Sequence, residues 1–289
     1  MVLSTYLHAN KMSKLDTGLS GCKLHLISSN VVRKESPSES YNGRLKLQAR
    51  KQKLFSNYIF KNVETAKIIY MGDDYFDMQY MTGLSFDEFF SVSSINDIDF
   101  VYDSLCGYFD ELIIKSQIYK PESSRRKILQ KIKSLQPDTQ YSSVLYDIEK
   151  HIHDNELKIP QSFCHGDLTF TNIIFHHNRL CFIDFLDCFI DSFLCDLIKL
   201  KQDLFYHWSL HNQSIKNLRV KQIYSFLWER LERRFSQYVD TIEFKILDVL
   251  NTLRIEPYLT NQKQRVIIER MINNSSLYGN ISCSHGGKV

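Results

Sequence analysis

The stretch FCHGDLTFTNIIFHHNRLCFIDF at residues 163–185 is largely apolar but contains four side chains that could do chemistry: His165, Asp167, Asn172 and Asp184. Asp167 and Asn172 lie five residues apart on a predicted loop after a short strand, and Asp184 ends the second strand of the hairpin that follows. A hairpin brings the start of its first strand beside the end of its second, so we expect Asn172 and Asp184 to be neighbours, with Asp167 close by. Asp and Asn are also common turn residues, but their joint pattern favours chemistry.

Clustered carboxylate and amide oxygens suit Mg²⁺, which usually keeps several waters and binds one or two carboxylates together with substrate phosphates. Within such a cluster Asn172 and Asp184 are candidate metal ligands. Asp167 is then free to accept a proton from an attacking hydroxyl. The pattern therefore predicts a Mg²⁺ site with a proton acceptor beside it.

The composition is that of an ordinary globular chain. Its 289 residues suffice for one large domain or two small lobes, with 43% hydrophobic and 24% charged residues. The net charge of +3 gives no general reason to expect a nucleic-acid partner. One basic stretch, residues 44–53, is more typical of a solvated helix face than of a phosphate-binding surface.

The sequence contains no run of eighteen apolar residues, so we expect no membrane insertion. The first residues lack the charged and apolar regions of a secretory leader, and we predict a cytoplasmic protein. Cys181, Cys188 and Cys195 are spaced by seven in apolar surroundings and are interpreted as small buried side chains. A zinc site on Cys164 with a nearby histidine is an alternative that matches no common spacing.

The order of predicted elements indicates an α+β protein of two lobes. Strands within 22–36, 66–72 and 75–81 flank a helix at 44–57, and helices dominate after Gly83. Short strands near 162–164, 172–176 and 180–184 interrupt these helices. We predict a small β-rich N-terminal lobe at 1–81, a larger helical lobe at 82–280, and a disordered tail at 281–289, with a ligand cleft between the lobes.

The motifs H165-G166-D167-L168-T169-F170-T171-N172 and I183-D184-F185 resemble the aminoglycoside phosphotransferase and choline kinase superfamily, relatives of the protein kinases. The resemblance implies a protein-kinase-like bilobal fold that uses ATP and Mg²⁺. It makes Asp167 the catalytic base and Asn172 and Asp184 the metal ligands. His165 would brace the catalytic loop, and Asp196, twelve residues after Asp184, would support that loop from below.

The N-terminal part resembles the nucleotide-binding lobe of the same superfamily. V31-V32-R33-K34 is similar to the strand that carries the nucleotide lysine, which implies Lys34, with Arg33 on the opposite face. The stretch F76-D77-M78-Q79-Y80-M81-T82-G83 resembles the hinge, which implies that backbone groups of Gln79, Tyr80 and Met81 bind adenine. The turn T17-G18-L19-S20-G21 stands where a phosphate-covering loop would lie.

The sequence differs from the superfamily at the helix glutamate that usually binds the nucleotide lysine. No acidic residue occurs between Glu39 and Glu64. Gln48 could hydrogen-bond Lys34, Glu35 or Glu39 could reach in from the loop, or the lysine is used differently.

We predict a kinase that phosphorylates a hydroxyl of a small molecule. The motif is HGD where protein kinases have HRD, and no activation segment follows Asp184. The acceptor is a sugar or surface-glycan precursor, an amino alcohol or an aminoglycoside. The missing glutamate leaves, as an alternative, a catalytically weak nucleotide-binding regulatory protein of the same fold. A nucleic-acid-binding module would rest only on the basic stretch, and no sequence feature indicates an oligomeric state.

Overall fold

The computed structural model describes residues 21–135, 141–176, 178–211, 218–259 and 261–275. Residues 17–20 of the predicted phosphate-covering turn and the predicted tail at 281–289 lie outside this part of the chain. The described chain begins with an antiparallel sheet in the order β1–β2–β5–β4, formed by β1 (Lys23–Ser28), β2 (Val31–Glu35), β4 (Ile68–Met71) and β5 (Tyr75–Gln79).

One face of this sheet is apolar and carries a single lysine. Strands β2 and β5 pair with Val32 opposite Met78 and Lys34 opposite Phe76. Alternate residues of a strand share a face, so these four side chains point the same way. All four are buried, and helix α1 (Asn42–Phe55) covers them. Lys34 is thereby held in a largely apolar environment.

A second sheet joins an N-terminal segment to the predicted hairpin. The hairpin consists of β8 (Ile173–His176) and β9 (Arg179–Phe182), and β3 (Val63–Thr65) pairs parallel to β9. Strand β3 was not predicted, because it is only three residues long. Thr65 donates a hydrogen bond from its hydroxyl to the Phe182 carbonyl at 2.8 Å. This contact holds the strand that ends just before Asp184.

The strand predicted near 162–164 is wrong. Strand β7 (Pro160–Gln161) ends before it, paired with β6 (Gln117–Ile118), and residues 162–165 form no strand. Ser162 in this segment hydrogen-bonds to residues outside any strand. The amide of Ser162 donates to the Asp191 carbonyl at 3.2 Å, and its hydroxyl accepts from the Phe193 amide at 2.7 Å.

Helices make up most of the described remainder: α2 (Phe86–Val92), α3 (Ile95–Ile114), α4 (Pro121–Ser134), α5 (Ser142–Asp154), α6 (Phe193–Leu204), α7 (Leu218–Arg234), α8 (Ser236–Val239), α9 (Ile242–Leu253) and α10 (Gln262–Ser275). Ser85 and Ser94 begin α2 and α3 with capping boxes. The α+β class and the helical character after residue 82 are confirmed. In the described residues, no helix combines the length and apolar character that crossing a membrane requires.

Candidate active site

The loop that carries Asp167 depends on a glycine. Gly166 has a φ of +90°, and a Cβ at this position would lie 2.4 Å from the Leu186 carbonyl oxygen and 2.6 Å from Cys188 Sγ. Any other residue would therefore be strained and would clash. Gly166 lets the chain turn sharply between His165 and Asp167.

His165 is buried and hydrogen-bonds the loop on both sides of its ring. Its Nδ1 accepts from the Asp167 amide at 3.2 Å, and its Nε2 lies 2.8 Å from the Ile183 carbonyl. The neutral ring with its proton on Nε2 satisfies both contacts. Burial lowers the pKa of His165 below its ordinary value, against the opposite effect of Asp196 and Asp167. The ring thus ties the Asp167 backbone to the strand end before Asp184.

Asp196 binds the start of the same loop. Its carboxylate accepts hydrogen bonds from the amides of His165 at 2.6 Å and Gly166 at 2.7 Å, and from the Tyr108 hydroxyl at 2.7 Å. Burial raises the pKa of Asp196 above its ordinary value, opposed by His165 and these hydrogen bonds. The loop amides are therefore bound by a buried side chain and not by a strand.

One face of α6 carries three polar residues toward the loop. Asp196, Lys199 and Asp203 follow at three and seven residues, the spacing of a single helical face. The Asp203 carboxylate accepts from the Phe170 amide at 2.6 Å and from the Ser209 amide at 2.9 Å. Helix α6 thus holds both ends of the loop, with Lys199 between the two aspartates.

Lys199 forms an ion pair with Asp167, with 3.1 Å between Nζ and Oδ1. The lysine side chain is only 4% exposed, and its Nζ also donates to Gln202 Oε1 at 3.1 Å. Burial alone would raise the pKa of the Asp167 carboxyl, but Lys199 and Arg254 hold it below its ordinary value. The sequence analysis missed Lys199. Its signal is a lysine one helical turn after Asp196 in a mostly apolar helix.

Asn172 and Asp184 lie where the hairpin opens. The Asn172 side-chain amide donates to the Asp167 carbonyl at 2.8 Å and to Asp167 Oδ2 at 3.1 Å. The Ile183 amide donates to the Asn172 carbonyl at 3.0 Å, which brings Asp184 alongside. Asn172 and Asp184 line one cavity of about 150 Å³ with Lys34. The free Oδ1 of Asn172 and the Asp184 carboxylate are hard oxygen ligands of the kind that Mg²⁺ prefers.

Lys34 reaches this cavity from β2. Its Nζ donates to Gln48 Oε1 at 3.1 Å and forms an ion pair with Asp184. Gln48 of α1 therefore stands where the helix glutamate was expected, which is the first of the alternatives that the sequence left open. Glu35 faces Lys23 and His25 instead, at 3.8 and 3.3 Å.

Arg33 lies on the opposite face of β2 from Lys34, as the alternation of side chains along a strand requires. Its guanidinium donates two hydrogen bonds to Asp77, at 2.8 and 3.0 Å, and stacks on the Tyr75 ring at 3.6 Å. The basic residue that faces the cavity is thus Lys34.

The three predicted hinge residues follow the end of β5. The Gln79 amide donates to the Lys67 carbonyl at 2.9 Å, and the Tyr80 amide donates to the Asn30 carbonyl at 2.8 Å. In the described residues no backbone partner is found for the Met81 amide. Of these three amides, that of Met81 remains available to a ligand.

Two further aspartates near the loop pair with basic residues of α1. Asp187 accepts from Arg44 at 2.7 Å, and Asp191 pairs with Lys51 at 3.1 Å. Together with the pair between Lys46 and Asp73, these contacts occupy three basic groups of the stretch at 44–53.

The cysteines differ from their interpretation at one position. Cys181 and Cys195 are buried as predicted, but Cys188 is half-buried. Of the described residues, one group of at least three has the spacing of metal ligands: Cys164, Cys188 and Asp191. The Lys51 ammonium lies within this group, and no histidine takes part. The alternative zinc site with a histidine is therefore not formed in this part of the chain.

A small sheet, a helical remainder and a loop that presents Asp167 beside Asn172 and Asp184 define the protein-kinase-like fold. The model of the phosphotransferase enzyme family matches residues 121–233, which include the loop but less than half of the chain. The predicted resemblance to this family is thereby confirmed. No protein of the curated sequences matches the chain significantly.

Solved structures of aminoglycoside phosphotransferases share the fold along almost the whole chain. The streptomycin-ATP-APH(2")-IIa ternary complex has a TM-score of 0.56 and 16% identity, with 91% of each chain covered. ADP-bound APH(2'')-Ib has a TM-score of 0.56 and 15% identity over 91% of this chain and 92% of that one. A thermostable mutant of APH(4)-Ia reaches 0.58 at 9% identity over 92% and 94%. Identities this low show the fold and not the substrate.

Proposed function

We propose that this protein is an ATP- and Mg²⁺-dependent kinase that transfers the γ-phosphate to a hydroxyl of a small molecule. The observation that carries the proposal is the convergence of Lys34, Asn172 and Asp184 on one cavity, with Asp167 hydrogen-bonded to Asn172 beside it. Lys34 comes from the N-terminal sheet, 150 residues away from Asp184, and a set of turn residues would have no reason to face it across a cavity. The family match and the shared fold support phosphotransfer in general.

The roles follow from the geometry. The oxygen of the acceptor hydroxyl bonds to the γ-phosphorus, and the bond between that phosphorus and the ADP oxygen breaks. Asp167 accepts the proton that the hydroxyl loses. Lys34 binds nucleotide phosphate oxygens, and the Met81 amide donates to adenine beside Gln79 and Tyr80. Asn172 and Asp184 would hold Mg²⁺, which neutralises phosphate charge when bound. Asp196 and His165 position the loop and take no part in proton transfer.

Lys199 keeps the proposed base ionised and in place. An isolated buried carboxylate would take up a proton, and the adjacent ammonium opposes this. Because Lys199 binds Oδ1 and Asn172 binds Oδ2, both carboxylate oxygens are oriented. The acceptor hydroxyl then meets a carboxylate of defined geometry.

Arg254, which acts on Asp167, and the cations near it favour an acceptor with negative charge. Burial, Arg254 and Arg44 lower the pKa of Lys131, while Asp187, the ion-pair partner of Arg44, opposes them. Arg254 also acts on Asp167 itself. In the described residues, no carboxylate forms a salt bridge with Lys131 or Arg254. Like charges held together beside a reactive group are typical of an anion-binding site.

This charge distribution separates the three acceptor classes. Aminoglycosides and amino alcohols are cations at neutral pH and would be repelled, whereas a phosphate-bearing sugar such as a nucleotide-linked sugar would be attracted. We therefore propose a sugar or surface-glycan precursor that carries phosphate. Its need for ATP makes the cytoplasm the expected compartment.

The alternative of a nucleotide-binding regulatory protein rested on the missing helix glutamate. Gln48 supplies the hydrogen bond to Lys34, and the Asp167–Asn172–Asp184 set is complete. Both observations favour an active kinase over a catalytically weak nucleotide-binding protein.

The test is ATP consumption with Mg²⁺ against amino alcohols, aminoglycosides, free sugars and nucleotide-linked sugars, with phosphorylated products identified by mass. Wild type is compared with Asp167→Asn, which retains the shape of the side chain but removes the proton acceptor. We expect turnover on one acceptor class, lost in the variant while ATP binding persists. Full turnover in Asp167→Asn would refute its role. Tight ATP binding with no product on any acceptor would favour the regulatory alternative.

A further inference from the structure

Two cysteines from different segments lie side by side at the base of the catalytic loop. Cys164 immediately precedes His165, and Cys188 lies four residues after Asp184. Their Sγ atoms are 3.6 Å apart, and the Cys164 thiol is placed to donate its proton toward Cys188. Cys164 is fully buried, whereas Cys188 is half-buried. The two thiols are close enough to bond after a small movement.

The ammonium group of Lys51, on α1, places a positive charge beside both thiols. Its Nζ lies 3.4 Å from the Sγ atoms of Cys164 and Cys188, 2.8 Å from the Leu186 carbonyl and 3.1 Å from Asp191 Oδ1. A lysine side chain 12% exposed and beside two sulfur atoms stabilises a thiolate. Because the ammonium fills the centre of the group, it competes with any metal ion for the same ligands.

The environment distinguishes the two thiols. The hydrogen bond from Cys164 and the charge of Lys51 hold the pKa of Cys188 below its ordinary value, although burial acts the other way. The same hydrogen bond, together with burial, raises the pKa of Cys164 well above its ordinary value. Arg254 also favours the Cys188 thiolate, and Asp191 opposes it. Cys188 is thus the nucleophile of the pair, and Cys164 keeps its proton.

Cys188 is reachable from a cavity. It lines a space of about 690 Å³ with Lys51, Asp191, Phe163 and Tyr58. This space lies apart from the cavity of Lys34 and Asp184, whose lining residues are different. A small oxidant can therefore meet the Cys188 sulfur without entering the proposed nucleotide site.

We propose that Cys164 and Cys188 are a modification site at which a peroxide converts the two thiols to a disulfide. The Cys188 thiolate attacks one peroxide oxygen, the O–O bond breaks, and the hydroxide that leaves takes a proton from solvent. Cys188 is then a sulfenic acid. The Cys164 sulfur attacks the Cys188 sulfur, the S–O bond breaks, and the Cys164 proton leaves with the hydroxyl as water. Two thiols are oxidised, and one hydrogen peroxide is reduced to two waters.

The disulfide would disturb the catalytic loop. Bonded sulfur atoms are about 2.0 Å apart, so the pair must close by more than an ångström. Gly166 already packs against Cys188 Sγ and the Leu186 carbonyl, so the loop has no free space to absorb the movement. Displacement of Asp167 by about 1 Å is expected to lower turnover on the order of 100-fold. This consequence rests on the proposed kinase function, but the thiol chemistry does not.

The experiment treats the full chain with hydrogen peroxide, alkylates the remaining thiols and measures the intact mass. A Cys283→Ser background removes the thiol beyond the described residues. We expect two thiols to be lost together, without added oxygen, and recovered with dithiothreitol. Cys164→Ser and Cys188→Ser should each prevent the joint loss of two thiols that can be alkylated. Cys106→Ser, which alters a buried cysteine elsewhere, should not.

Cys181, Cys188 and Cys195 fall in one tryptic peptide, residues 180–199, so Cys181→Ser and Cys195→Ser are both needed to assign the bond. Lys51→Met should slow the reaction about tenfold, and Lys51→Arg should restore it, because a nearby cation favours the thiolate that attacks the peroxide. If a variant does not fold, fragmentation of the oxidised wild-type peptide still locates the bond.

Oxygen addition at Cys188 without a disulfide, or a bond at another cysteine, would overturn the proposal. A disulfide without any change in turnover would leave the modification site intact but show that the loop is not displaced.

Discussion

Lys199 and Asp167 form an ion pair across 3.1 Å, between a buried face of helix α6 and the loop that the helix supports. Lys199 lies between Asp196 and Asp203, whose carboxylates bind the loop amides on either side. The helix therefore does two things at once. It fixes the path of the loop, and it provides the charge that keeps the Asp167 carboxylate ionised.

Lys199→Met should lower kcat about 100-fold while the affinity for ATP changes little, because the residue acts on the proposed base and not on the nucleotide. Lys199→Arg should recover part of the rate, since it retains the charge. Lys201→Met is the matched control. Lys201 belongs to the same helix but pairs with Asp248 at 2.7 Å, away from the loop. Its change should reduce stability and leave the kcat of the folded enzyme near wild type. Equal kcat losses in both variants would assign Lys199 a purely structural role.

Lys34→Met should weaken ATP binding at least about tenfold, since a charged contact to phosphate is lost. Arg33→Met, one residue earlier on the same strand, faces away from the cavity and should retain ATP affinity. Titration calorimetry with ATP and Mg²⁺ measures both. If Arg33→Met weakened binding more than Lys34→Met, the nucleotide site would have to lie on the other face of the sheet.

Asp184→Asn should abolish the dependence of ATP binding on Mg²⁺ while leaving the weaker metal-free binding. Asp184 has a φ of +61°, a conformation that asparagine tolerates better than alanine, so this change tests charge with little backbone strain. The measurement is ATP affinity with Mg²⁺ and with excess chelator. An unchanged Mg²⁺ effect in the variant would remove Asp184 from the metal site.

Arg254→Ala should raise the KM for a phosphate-bearing acceptor about tenfold and leave the KM for ATP unchanged, because the loss of one desolvated charge contact is worth about 1.4 kcal/mol. Arg126→Ala on α4 serves as the control, since Arg126 is exposed. Initial rates at varied acceptor and ATP concentrations measure both KM values in each variant. A preference for cationic aminoglycosides in wild type would contradict the proposed acceptor charge.

The pH dependence of stability should report on His165. Its pKa is lowered in the folded protein, so the unfolded chain binds more protons between the folded pKa and about 6.5. The free energy of unfolding gained from the neutral ring is therefore fully present above about pH 6.5 and is lost as the pH falls toward the folded pKa.

Denaturant unfolding from pH 5 to pH 8 measures this slope. His165→Gln should flatten it, whereas His153→Gln should not, since the side chain of His153 is 86% exposed. Equal slopes in wild type and His165→Gln would mean that another group carries the dependence.

Local patterns were enough to predict much of the fold. The turn residues and strand alternation predicted β1, β2, β4, β5 and the hairpin β8–β9, and the helix predicted at 44–57 is α1 (Asn42–Phe55). Strand β3 was missed because three residues contain too little periodicity to detect. The strand at 162–164 was wrongly predicted because Ser162 hydrogen-bonds to residues distant in sequence, the Asp191 carbonyl and the Phe193 amide, instead of to a neighbouring strand.

The sequence by itself determined which residues are candidates for chemistry, because the spacing of Asp167, Asn172 and Asp184 on a loop and hairpin is a local property. Only the tertiary structure decided what those residues face. Lys34 meets Asp184 across 150 positions, and Lys51 meets Cys188 across 137. The physical reason is that periodicity shows which side of an element is buried, while the packing of distant elements determines the charges that lie opposite.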